Sequence, residues 1–288
     1  MDTSLIKKDN DVSQNTSSED IPVREQKIHD VKHNKTYYAQ HYFPPPNKSS
    51  QYKNILFTLE GISFMTTRID AEIISGLIIK YCSMKDVNYN DITLTDATAG
   101  LGGNTMSFAK LFRHINVIEK NPFTFEILSN NLKEYGYRNI TIINDDYANI
   151  YNELTQNVIF IDPPWGGKKY LKQKKLRLQL SHIDIEQLCR NIRNNGEIIV
   201  MKLPINYDFE FLLNSLLELH VINQPVANEN IQHILEQMNQ VIAYDSITTH
   251  EQNDVDLIKK STLERKYSYD LNNIHIHRLK KMYILIIL

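Results

Sequence analysis

Ile92-Thr93-Leu94-Thr95-Asp96-Ala97-Thr98-Ala99-Gly100-Leu101-Gly102-Gly103-Asn104-Thr105 is the run that decides the fold. Ile92 to Asp96 reads as a short strand and Asn104 to Leu111 as a helix, with a glycine-rich turn between them. Working outward, Asn116 to Glu119 is a second strand. Pro122 to Tyr135 is a helix with proline in its first turn and Gly136 just past its end. Ile140 to Ile143, Val158 to Ile161 and Glu197 to Met201 are further strands, the fourth apolar throughout, and Ile183 to Arg193 is the helix before the fifth. Apolar strands alternating with helices imply a mostly parallel sheet covered on both faces, a Rossmann-like α/β fold.

The flanks are less regular. Residues 1–34 are polar and read as a tail. Residues 35–85 hold a Tyr-rich patch, Tyr37 to Phe43, closed by Pro44-Pro45-Pro46, then a helical apolar spacing from Ile69 to Tyr81. Within a core spanning 86–250, residues 209–219 look helical and Gln240 to Asp245 looks like another strand. Residues 251–288 form an extension whose apolar end, Ile276 to Leu288, fits either a strand or a packed helix. The 288 residues carry 42% hydrophobic side chains, enough for a sizeable core. Two cysteines make neither a disulfide framework nor a metal cluster. With no signal-like start and no apolar run long enough to span a bilayer, an intracellular protein without membrane association is expected. A net charge of −2 argues against a surface coated in long nucleic acid, though not against a local basic patch.

The glycine turn lacks the Gly-Lys-Ser/Thr of a phosphate loop, and Thr105 stands where a dinucleotide fingerprint wants its last glycine. Asp96 at the start of the turn would repel a phosphate but suits the ammonium of S-adenosyl-L-methionine. Glu119, at the tip of the second strand, is placed to grip both ribose hydroxyls. On its own the run is equally well a ligand-free strand-to-helix turn. Asp145 and Asp146 follow the third strand; an acid there can accept from an adenine amine or cap the next helix.

Asp162-Pro163-Pro164-Trp165 chooses the chemistry. An exocyclic amine on an aromatic ring is a poor nucleophile because its lone pair is delocalised. The Asp162 carboxylate and the Pro163 carbonyl can take its two N–H groups and orient the nitrogen. Trp165 offers a stacking face, with an added attraction for a cationic ring such as 7-methylguanine. Gly166 and Gly167 turn the chain, and the next ten residues, Lys168 to Arg177, hold six basic side chains and no acid. Lys168 and Lys169 stand nearest the tryptophan and suit a cap triphosphate.

These residues resemble the trimethylguanosine synthases, RNA cap guanine-N2 methyltransferases. Residues 96–105 look like that family's cofactor loop, and Pro163-Pro164-Trp165-Gly166-Gly167 like its catalytic motif. Tyr37 to Tyr42 is similar to an aromatic stretch upstream of the family core, with Tyr38 for Trp and His41 for Arg. Glu60-Gly61 and Thr66 resemble the segment that follows. Leu203-Pro204-Ile205-Asn206 is similar to the run after strand five, with Ile205 for Arg, and Asp162 stands where cap enzymes often have Ser. The resemblance covers about 37–245. It implies a class I methyltransferase with a seven-stranded sheet and a small N-terminal helical extension closing over the cofactor. It implies that Asp96, Ala97, Gly100, Asn104 and Thr105 line the cofactor, with Thr66 at the methionine carboxylate, Glu119 at the ribose, and Asp146 and Tyr147 at the adenine. It further implies that Trp165, Lys168, Lys169 and Asn206 meet the substrate.

The expectation is therefore methyl transfer to N2 of the 7-methylguanosine RNA cap, catalysed by Asp162 and Pro163 without a metal. The partner would be capped RNA or a free cap nucleotide, and the chain a monomer. Two readings compete: another amino methyltransferase acting on guanine or adenine in RNA or DNA, and an inactive cap-binding subunit.

Overall fold

Residues 35–45, 54–217 and 271–288 are described in the computed structural model. Among the described residues, the α-helices α1 (Lys35–Tyr42), α2 (Leu59–Phe64) and α3 (Arg68–Met84) precede the first strand. Threonines start the last two. Thr58 accepts from the Gly61 N–H and Thr67 from the Asp70 N–H, pairing donors that a first helical turn leaves open. With that cap, α3 extends beyond the expected Ile69–Tyr81 at both ends.

Strands and helices then alternate: β1 (Thr93–Asp96), α4 (Gly103–Phe108), β2 (His114–Ile118), α5 (Pro122–Tyr135), β3 (Ile140–Ile143), α6 (Tyr147–Ile150) and β4 (Val158–Ile161). Asn121 caps α5, Pro122 opens it, and Gly136 ends it in the left-handed region at φ 72°. A small hairpin of β5 (Gln179–Leu180) and β6 (Ile183–Asp184) leads into α7 (Ile185–Ile192). The last described elements are β7 (Ile198–Pro204), α8 (Phe209–Leu216), β8 (Ile274–Leu279) and β9 (Met282–Ile287).

One seven-stranded sheet results, in the order β3-β2-β1-β4-β7-β9-β8. The first five run parallel, and β9 is antiparallel to both β7 and β8. This is the Rossmann-like class I methyltransferase architecture. Its core lies on both faces of the sheet. Ile74, Leu77 and Ile78 of α3 and Leu128 of α5 pack on one side; Leu188 of α7 and Leu212 of α8 pack on the other. The chain works outward from β1 to β3 and then returns to place β4 on the other side of β1. Ligands in such sheets bind at that reversal, beyond the carboxyl ends of the strands. Asp96 ends β1, and Asp162 follows β4 directly.

The C-terminal segment, open between strand and helix from its sequence, is the β8–β9 hairpin. β9 pairs along β7 as far as Pro204–Met282, so the fifth parallel strand continues three residues past the expected Met201. Ile183 and Asp184 belong to the hairpin rather than to the helix. The strand expected at Gln240–Asp245 lies outside the described residues, as does the 1–34 tail.

Candidate active site

Asp96 is fully buried. Its Oδ2 accepts from the Thr105 hydroxyl at 2.6 Å, while Oδ1 is buried without a partner among the described residues. Burial pushes its pKa up to about 7, although the Thr105 and Thr98 hydrogen bonds pull the other way. The turn after it needs glycine: Gly100 has φ 56° and Gly102, the N-cap of α4, has φ 96°. At Gly103 the reason is closeness, since a Cβ there would lie 2.9 Å from Met65 Cε and 3.4 Å from the Thr66 carbonyl. The N-terminal segment therefore rests on the loop. Asn104 Nδ2 donates to Thr66 Oγ1 at 3.0 Å, and Asn104 Oδ1 is again buried with no partner among the described residues. The Ala97 N–H donates to the Phe160 carbonyl, tying the loop to β4.

Glu119 reaches the same loop. Its Oε2 accepts from the Gly100 N–H at 2.9 Å and its Oε1 from the Asn121 N–H at 2.8 Å. Burial raises its pKa, opposed by those backbone donors. Asp146, whose sequence allowed two roles, takes the capping one. Its Oδ1 accepts from the Ala148 N–H at 3.1 Å. Its Oδ2 accepts from Lys120 Nζ at 2.8 Å and from the Ser181 hydroxyl. Burial works to raise its pKa, and the Lys120 and Ser181 bonds overcome that and hold it low. Both oxygens are thus engaged by the protein. The Tyr147 ring is 1% exposed and belongs to the core, with its hydroxyl hydrogen-bonded to Gln156, which leaves only its backbone to face a ligand.

Asp162 joins the loop through its backbone, whose N–H donates to Thr98 Oγ1 at 2.8 Å. Pro163 is buried and Pro164 exposed. Trp165 is half-buried and packs against both halves of the core, in a T-shaped contact with Tyr170 at 5.3 Å between centroids. Gly166 (φ 83°) and Gly167 (φ 62°) then turn the chain into a 3-10 turn, Gly167–Lys172, on which Lys168 and Lys169 are exposed. Asn206, expected at the substrate, staples this turn through its Nδ2, which donates to the Tyr170 and Gln173 carbonyls, each at 2.8 Å, while its Oδ1 is buried and has no partner among the described residues. The amide has two donors, and the turn uses both.

Sequence reasoning missed Lys202. It lies on β7, is 4% exposed, and places Nζ 2.6 Å from Asp162 Oδ2 and 4.9 Å from the centre of the Trp165 ring. Burial raises the Asp162 pKa, and the Lys202 ammonium opposes that rise. The signal available was a lone charge inside an otherwise apolar strand, beside a motif that carries an acid where uncharged Ser is common.

No cluster of three or more His, Cys, Asp or Glu side chains able to hold a metal occurs among the described residues, and none of their helices is long and apolar enough to cross a membrane.

Residues 92–255 match a family model described as RNA cap guanine-N2 methyltransferase. An uncharacterized protein of Acanthamoeba polyphaga mimivirus is 31% identical over 193 residues, covering 60% of this chain and 75% of that one. Trimethylguanosine synthase of Schizosaccharomyces pombe is 34% identical over 127 residues, covering 41% of this chain and 53% of its own. Ribosomal RNA small subunit methyltransferase J of Hydrogenovibrio crunogenus is 30% identical over 134 residues, covering 40% and 49%. The chain thus spans about half the length of the two named methyltransferases.

Proposed function

The chain belongs to the RNA cap guanine-N2 methyltransferase family, and from that premise we propose that it methylates the exocyclic N2 of the 7-methylguanosine cap of RNA. The methyl donor in this reading is S-adenosylmethionine, and the residues fit it. Asp96 Oδ1 and Asn104 Oδ1 are buried polar atoms with no partner among the described residues, in a turn whose glycines admit a close ligand. Asp96 would hold the ammonium and Glu119 the ribose. When bound, S-adenosylmethionine supplies an electrophilic methyl group on a sulfonium.

The observation that carries the reading is the pairing, at the sheet's reversal point, of an acidic acceptor with an indole. Asp162 Oδ2 is taken by Lys202, and Oδ1 has no partner among the described residues. Oδ1 and the Pro163 carbonyl would accept the two N–H groups of the amine. Trp165 would stack on the base, and the exposed Lys168 and Lys169 would meet the cap phosphates. Transfer would form the N2–methyl bond as the sulfur–methyl bond breaks, leaving S-adenosylhomocysteine, and the product nitrogen would lose a proton to solvent without a strong base. Most of the acceleration comes from holding the two reactants in register.

The similarity to a ribosomal RNA methyltransferase favours one second reading, methylation of a base within a longer RNA. Incubation with S-adenosylmethionine and free 7-methyl-GTP, followed by mass spectrometry, separates the two. One or two added methyl groups on the nucleotide support the cap reading. Transfer to long uncapped RNA alone defeats it.

A further inference from the structure

We propose that Lys202 is a positioning residue of this site: its ammonium grips one oxygen of Asp162 and covers one face of Trp165, leaving Asp162 Oδ1 and the opposite indole face for the base. The proposal rests on the reading just given and adds a residue to it.

Every residue of β7 is buried, so a lysine there stands out. A charge removed from water is tolerated only when paired, and Lys202 pairs with Asp162 at 2.6 Å. The same ammonium is 4.9 Å from the Trp165 ring centre, within the range of a cation–π contact. One group therefore touches both ends of the Asp162–Trp165 motif. The indole N–H is buried without a partner among the described residues, so no hydrogen bond from them fixes the ring. What fixes it is Lys202 over the ring and an edge contact with Tyr170, the two ring planes 76° apart.

Lys202 also keeps Asp162 able to accept. The charged group in contact with this carboxylate is Lys202 from β7; from the end of β1 Asp96 is coupled to it, and both Asp162 and Glu119, which follows β2, raise the Asp96 pKa. Burial favours a protonated Asp162, and the Lys202 ammonium opposes it. A protonated carboxyl would turn an O–H toward the amine and repel the N–H it should receive.

Trp165 is the only tryptophan in the chain, so its fluorescence reports on this cluster whether or not the enzyme turns over. The test is a pH titration of that fluorescence in the wild type, Lys202→Met, Lys202→Gln and Asp162→Asn. Asp162→Asn should abolish the transition assigned to the carboxylate. Lys202→Met and Lys202→Gln should raise its midpoint by about one pH unit or more. With 7-methyl-GTP as substrate, the acid limb of kcat should move up by the same amount while KM changes less. Circular dichroism checks that each variant is folded, and the glutamine variant serves if the methionine one is not. A midpoint unchanged in a folded Lys202 variant overturns the proposal. A wild type that methylates no guanosine nucleotide overturns the cap reading instead, and the fluorescence comparison still decides the role of Lys202.

Discussion

The side-chain amide of Asn104 donates to the Thr66 hydroxyl at 3.0 Å, joining the first turn of α4 to the segment between α2 and α3. Nearby contacts repeat the theme. Asn131 of α5 bonds both the N–H and the carbonyl of Leu56, and also reaches the Leu101 carbonyl in the glycine turn. A Cβ on Gly61 would come within 2.7 Å of Leu101 Cδ1. The helical N-terminal part is thus fastened to the loop that would hold the methyl donor.

Asn104→Ala breaks that fastening and leaves a buried hydroxyl unpaired. Stability should fall by about 1–2 kcal/mol, and affinity for S-adenosylmethionine should weaken several-fold. Thermal melting and calorimetric titration measure the two. A stability loss with unchanged affinity would mean the contact holds the fold only.

Trp165→Ala removes the proposed stacking plate. The Michaelis constant for 7-methyl-GTP should rise roughly tenfold to a hundredfold, the equivalent of about 1–3 kcal/mol of stacking, with a smaller effect on kcat. Because Lys202 already covers one face, the preference for 7-methyl-GTP over GTP should be modest, about tenfold. Steady-state kinetics on both nucleotides test this, and an unaltered Michaelis constant in the variant refutes the stacking role.

Asp162→Ala is a poor probe of chemistry because it strands Lys202. Removing one member of a buried pair destabilises by about 3–5 kcal/mol. Asp162→Asn keeps the shape, and kcat should fall on the order of a hundredfold as the charge that supports the reacting nitrogen is lost. Combining it with Lys202→Met should restore part of the lost stability but not the turnover, a non-additivity that a double-mutant cycle reads directly.

Asp96 predicts a pH dependence of binding. Burial holds its folded pKa up to about 7, against about 3.9 in an unfolded chain. Only the ionised form attracts an ammonium, so affinity for S-adenosylmethionine should drop about tenfold between about pH 8 and about pH 6. Folding stability from this group runs the other way: it is fully present below about pH 4 and lost as pH rises through about 7. Calorimetry at the two pH values checks the first part, and Asp96→Asn should flatten the profile.

The alternation of strands and helices was legible because burial on both faces forces continuous apolar runs, as in Val158–Ile161, and because Pro122 and Gly136 mark their helix from both ends. The C-terminal hairpin was not, because a short apolar run such as Ile284–Ile287 is equally a buried helix turn until its partner is known, and its partner β7 lies about eighty residues away. Within the site, the motif residues at the ends of β1 and β4 came from local sequence. Lys202 did not, because its role depends on β7 lying beside β4, a tertiary fact. The side-chain directions of Asn206 and Tyr147 were hidden for a related reason: each is set by tertiary neighbours, the loop carbonyls in one case and the core in the other.

The β8 edge offers a pH response opposite to that of Asp96. His275 and His277 face Tyr81 of α3, whose hydroxyl lies 2.7 Å from His277 Nε2 and whose ring centre lies 4.7 Å from that of His275. Burial, aided by the charge of Lys80, lowers both imidazoles to about 4. An unfolded histidine titrates near about 6.5. These groups therefore contribute stability that is complete above about pH 6.5 and is lost as pH falls through about 4, because the unfolded chain takes up protons that the hairpin refuses. Replacing both with glutamine, which can still meet the Tyr81 hydroxyl but does not titrate, should flatten this part of the curve. Guanidinium denaturation of wild type and variant across that interval measures the difference. Parallel curves would show that the hairpin stays docked on α3 regardless of histidine charge.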